Sequence, residues 1–177
     1  MDTAEGLRAL LELQAHDTAI DQIRHRRQHH PLRDELASVE AEAAGLTLRR
    51  QDVADRVGEV ARRQSELEAE VDTTARRLAD IDRRMYSGEI SASRDLEAMS
   101  EQASSLKRRQ SNLEDQVLEQ MEAREPMDAE LAELDRELAR LEGRRAEVSA
   151  ALAEADAELA ASEQSEQAAR RAVAERV

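Results

Sequence analysis

From Leu32 the inward positions of the chain step by four and three. The apolar ones are Leu32, Leu36, Val39, Ala43, Leu46, Val53, Val57, Val60, Leu67, Val71, Leu78, Ile81 and Met85, with Arg50, Gln64 and Thr74 keeping the same rhythm. A 3.5-residue repeat held this long predicts a left-handed supercoiled seam rather than an amphipathic surface helix. A second run opens at Leu96 and continues through Met99, Ala103, Leu106, Leu113, Val117, Met127, Leu131, Leu134, Leu138, Leu141, Val148, Leu152, Ala155 and Leu159. Gln110, Gln120, Arg124 and Arg145 fill its polar steps. Beyond Leu159 the repeat thins to Ser162, Glu166, Ala169 and Val173, as expected of a helix that meets a different contact.

The runs are separated by MYSGEISASRDLEAM, residues 85–99, which holds the chain's single Tyr. Eleven residues from Met85 to Leu96 also fit an uninterrupted rod. Local chemistry favours a reversal. Gly88 is free to take a positive φ and close a helix, and Ser91 or Ser93 is suited to cap the next one. The expectation is an all-α fold, a long antiparallel coiled-coil hairpin with its N-terminal helix broken at Pro31. Its parts are an N-terminal helix over 4–30, a first long helix over 32–86, a turn over 87–92 and a second long helix over 93–176, all in a single domain. Facing positions then sum to about 178. Residues 50–64 come opposite 114–128, two zones rich in polar seam residues, and the N-terminal segment lies along the last thirty residues. Pro126 is expected to remove one helical hydrogen bond and bend its helix. Outer positions offer acid–base pairs four apart: Asp52 with Arg56, Glu59 with Arg63, Asp72 with Arg76, Asp80 with Arg84.

Composition narrows the class. Charged residues make up 37% of the 177 positions and aromatics 1%, with no Phe, Trp or Cys. Without large aromatics a single globular core is not expected, and Ala, Leu, Glu and Arg point to long helices. A net charge of −14 repels polyanions, so contact with nucleic acid or an acidic membrane would need a local basic patch. The lack of Cys removes disulfides and thiolate metal sites from these residues and suits a reducing compartment. The first residues carry acids and no long apolar run, unlike a signal peptide, and no stretch approaches the length of a membrane span. A cytoplasmic protein with no membrane contact is expected.

The tip and the residues after it, 85–123, resemble a bacterial family of coiled-coil proteins that end in a C4-type zinc ribbon, formerly a domain of unknown function. Tyr86 and Gly88 fall on its Tyr-x-Gly tip and Leu96 on its Lys-Glu-Leu. Arg108, Arg109, Gln110, Leu113, Glu114 and Asp115 fall on its Arg-Arg-Gln-x-x-Leu-Glu-Asp phrase. LLELQAHDTAIDQI followed by Pro31-Leu32 resembles the family's opening. Ser-Ala-Ser-Arg-Asp-Leu stands where the family often has Asn-Pro. The resemblance implies an adaptor or regulatory protein with protein and nucleic-acid contacts and no established enzymatic activity. It also implies zinc held by two CxxC pairs that this chain does not contain, so zinc is expected only if the native chain runs on into a ribbon. No cofactor is expected within these residues.

Candidate chemistry is sparse. RHRRQHHPLR, residues 24–33, is the one basic block. Arg24, Arg26, Arg27 and Arg33 form either a phosphate patch or a helix end whose cations complement the dipole; without an aromatic to stack a base, the dipole reading is preferred. Asp21, His25 and His29 have metal-ligand spacing on one face, but the surrounding arginines oppose a cation and no metal site is expected. Tyr86, Ser87 and Gly88 form either a docking tip or a cover for the turn and Ile90. No catalytic constellation is present, so no enzyme is expected. The leading expectation is an adaptor arm with protein partners, touching nucleic acid mainly through a ribbon; the alternative is a structural rod or spacer acting by self-association. Pairing of two hairpins through alanine-rich faces stays open.

Overall fold

The structure, a computed structural model, describes residues 3–87 and 92–176. Three helices follow in order: α1 (Thr3–Gln28), α2 (Pro31–Tyr86) and α3 (Ser93–Ala174). Ion pairs from α2 to α3 run antiparallel, as a hairpin requires. Glu70 meets Arg109, one residue from the partner that a sum of 178 assigns, and Arg49 meets Glu130, again one residue away.

The heptad reading of α2 matches its burial: all sixteen positions are buried or half-buried. In α3 the same holds from Leu96 to Leu159 with one exception, Arg145, whose side chain is exposed and reaches Glu40 instead. The seam is thin. Among the described residues only Leu67, Leu141 and Val53 are sealed almost completely. Thr74, the one buried polar residue in the described core, turns its hydroxyl back to donate to the Glu70 carbonyl, so its burial leaves no unmet bond.

The polar seam positions resolve differently from a buried register lock. Apart from Thr74 and Arg145, each is half-buried, with its stem along the seam and its head turned out. Gln64 donates to Glu68, Gln110 to Glu114, and Arg124 to Asp128, all within one helix. Arg50 crosses to Asp135, outside the 114–128 zone expected to face it. Of the four expected outer pairs, only Asp72 with Arg76 forms. Arg63 turns to Glu66 and Asp80 to Arg83, because exposed arginines choose among neighbours three and four away at nearly equal energy. At the start of α3, the Ala92 carbonyl accepts from the Leu96 amide, which makes Ala92 the capping position and puts Ser93 inside the helix rather than at its cap. Ser91 lies outside the described residues. α3 continues through Pro126 without interruption.

The described residues form two compact units, Met1–Leu46 with Glu137–Val177, and Thr47–Arg136. In the first unit α1 packs against the end of α3, the contact for which the thinning repeat was waiting. Ile20 and Ile23 are its buried centre on α1, and Val173 is buried on α3. The inward positions of α3 step from Leu159 to Glu163, Glu166, Arg170 and Val173, so a four replaces the expected three and the polar residues join the seam. They hold α1 by polar contacts: Glu163 accepts from Arg24, His16 bonds Glu166 at 2.7 Å, and Arg170 donates to Asp17.

The Arg170 hydrogen bond holds the Asp17 carboxyl below the ordinary carboxylate range, against a smaller desolvation effect. Arg50 does the same to Asp135 and Arg140 to Glu137. Depressed folded-state values mean stability that is present above the unfolded value, about pH 4, and is lost as pH falls through the folded one. The thermal midpoint is therefore expected to drop on acidification below about pH 4. The double variant Arg50→Gln, Arg170→Gln should show a smaller drop over the same interval in circular-dichroism melts.

Candidate functional site

The basic block sits at the junction of α1 and α2, and its local structure follows from Pro31. With no N–H to donate, Pro31 opens α2 as its first residue. His30 caps the new helix, its Nδ1 accepting from the Leu32 amide at 3.3 Å. α1 stops at Gln28, and the His29 amide still bonds back to the His25 carbonyl.

Arg33 ties the junction together. Its Nε donates to the Arg27 carbonyl at the end of α1, and its Nη2 reaches Asp156 of α3 at 2.5 Å. Arg24 bonds Glu163 at 2.7 Å. Arg27 lies between the two carboxylates, 3.8 Å from Asp156 and 4.0 Å from Glu163. A cleft of about 560 Å³ is lined by these three arginines, Gln28 and Glu163. Asp156 Oδ1 is buried without a hydrogen-bond donor among the described residues. Three guanidinium groups thus converge over two carboxylates, and most of their charge is spent on holding α1 and α2 to α3. Arg26 stands apart, its Nε turned to the Gln22 carbonyl.

The candidate metal triplet does not converge. Asp21 turns to Arg24 at 3.9 Å. The His25 and His29 rings stack 4.3 Å apart, and His29 Nδ1 faces the His25 carbonyl. Among the described residues no group of three or more His, Cys, Asp and Glu side chains is disposed to hold a metal ion. Nor do the residues present fit a zinc ribbon, which needs cysteine thiolates that this chain lacks.

At the other candidate, Tyr86 is the last residue of α2 and 85% exposed, while Met85 beneath it is half-buried. Ser87 Oγ donates to the Arg84 carbonyl, satisfying one of the free acceptors at the helix end. Gly88 and Ile90 lie outside the described residues. No described helix is long and apolar enough to cross a membrane.

The match to known proteins rests on this helical frame. The model of the CT398-like coiled coil hairpin domain covers residues 13–177. The chain belongs to that family. Two Mycobacterium tuberculosis proteins, from strains CDC 1551 and H37Rv and both described as uncharacterized, are each 33% identical over 130 residues. The match takes in 70% of this chain and 50% of either relative, so it spans about half the length of these curated relatives. A solved Mycobacterium smegmatis structure superposes with a TM-score of 0.88 over 96% of this chain and 70% of its own, at 24% identity. At that identity the likeness speaks for the hairpin fold alone.

The seam of α1 was the main feature that sequence reasoning missed. Its inward residues, Gly6, Ala9, Leu13, His16, Ile20 and Ile23, keep the three–four rhythm but include only three large apolar side chains. The signal was present in Leu13, Ile20 and Ile23 at seven and three.

Proposed function

We propose that this CT398-like hairpin is a non-enzymatic adaptor arm working in the cytoplasm, which presents the Tyr86 tip to a protein partner. The observation that carries this reading is the exposure of Tyr86. A lone aromatic, 85% exposed at the end of a helix held by a buried seam, is costly to leave in water and well suited to anchor a contact. Nucleic-acid contact belongs in this proposal to a ribbon in a longer chain, because three of the four arginines of the junction, Arg24, Arg27 and Arg33, are engaged with Asp156 and Glu163. The same ribbon would bring the zinc.

The test places a photo-crosslinking amino acid at position 86 in cells, with Arg62, exposed on α2, as the control site. A discrete protein adduct at 86 and none at 62 is the expected result. Equal labelling at both sites, or none at either, would replace the adaptor with the second reading, a structural rod acting through self-association. What favours that second reading is the set of leucines exposed on α1.

A further inference from the structure

The register in which α1 lies on the end of α3 is keyed by charge. Asp17 and Arg24 stand one heptad apart on α1, acid first. Glu163 and Arg170 stand one heptad apart on α3, again acid first. Antiparallel docking crosses the two sets, so that Arg170 pairs with Asp17, and Arg24 with Glu163 at 2.7 Å. Apolar spacing alone would not choose this register. Leu13 and Ile20 on α1, like Leu159 and Val173 on α3, recur in whole heptads and meet again after a slide of one repeat. A slide one way sets Asp17 against Glu163, and a slide the other way sets Arg24 against Arg170. Either error brings like charges together.

Little apolar area backs these pairs. Among the described residues, Ile20 and Ile23 are the buried side chains of α1, and Val173 is the one buried on α3 beyond Leu159. Toward the start of α1 the contact is a further exposed pair, Arg176 with Glu12 at 3.0 Å. The other end is pinned: Arg33 binds both the Arg27 carbonyl and Asp156, and only His29 and His30 separate α1 from α2. A helix of this length is marginal in water once parted from its packing surface. We propose that α1 is a strap, closed on α3 in one register by the crossed pairs of Asp17 with Arg170 and Arg24 with Glu163, which opens toward the pinned junction when charge is screened. Opening uncovers Ile20, Ile23 and Val173 and leaves the α2–α3 seam paired. The two contacts respond differently to salt because the Debye length falls from about 30 Å at 0.01 M to about 3 Å at 1 M, whereas burial of leucine is not weakened by screening. The strap is independent of the Tyr86 tip and of any partner bound there.

Hydrogen exchange of the whole chain, read by mass spectrometry on peptides from each helix, tests the strap. Between about 0.01 M and about 1 M sodium chloride, protection of residues 12–24 is expected to fall about tenfold, with that of residues 60–81 unchanged. Arg170→Asp leaves the sequence of α1 untouched and should lower its protection about tenfold at low salt. Asp17→Arg should do the same. Joined in one chain, the two substitutions should bring protection back to within about threefold of the parent. Protection of residues 12–24 that ignores salt or Arg170→Asp overturns the proposal. So does an equal loss over residues 60–81, which would mean that α1 opens only with the hairpin. Failure of the combined variant to recover overturns the keyed register.

Discussion

Leu141→Ala is expected to lower the unfolding free energy by about 2–4 kcal/mol. Leu141 is 2% exposed at a seam position in the middle of α3. Truncation removes three buried carbon atoms and leaves a gap that the backbone of a two-stranded seam closes only in part. The same change at Leu48, 75% exposed on α2, should stay within about 0.5 kcal/mol. Urea titration followed by circular dichroism reads both. The contrast is large because the core is small: a chain with almost no aromatic residues spreads its burial over many partly covered positions, and the few fully covered leucines carry a disproportionate share. A Leu141 effect no larger than that of Leu48 would mean that the seam runs elsewhere on α3.

Pro126→Ala should act in the opposite direction, raising the unfolding free energy by about 2–3 kcal/mol. Pro126 is exposed inside α3, more than thirty residues from either end of the helix. There it has no N–H to give the Glu122 carbonyl, and its ring crowds that turn. No capping position or tight turn needs its fixed φ. Alanine restores the bond without filling space, so a higher urea midpoint at unchanged slope is the expected outcome. A neutral result would mean that the helix has already relaxed around the ring, with its loss absorbed by the solvent-facing carbonyl.

The hairpin was legible because a heptad is a global signal. Every step from Leu32 to Met85 reports on the same seam, so Arg50 or Gln64 does not obscure it. Antiparallel pairing was legible to within a residue at Glu70 and Arg49, because the short connection between α2 and α3 sets it geometrically. Side-chain partners were not. Arg63 chose Glu66 over Glu59, and Arg145 left a seam position for Glu40, since choices among exposed charges separated by fractions of a kcal/mol leave no mark in a periodicity. The α1 contact was half-legible. Its location followed from the fold, but its chemistry, Arg24 with Glu163 and Asp17 with Arg170, required a seam built of charge where apolar spacing was being read. The convergence of Arg24, Arg27 and Arg33 on Asp156 and Glu163 also needed the third helix, whose two carboxylates lie more than a hundred residues away in the chain.

Tyr86 has one more consequence. With no tryptophan in the chain, its near-ultraviolet emission has neither a competing source nor an indole acceptor, and it comes from a single known place. Collisional quenchers such as iodide or acrylamide sample that place and no other. The molecule thus carries an intrinsic optical reporter at the end of α2: whatever seats there announces itself as a change in quenching or lifetime, without any attached dye.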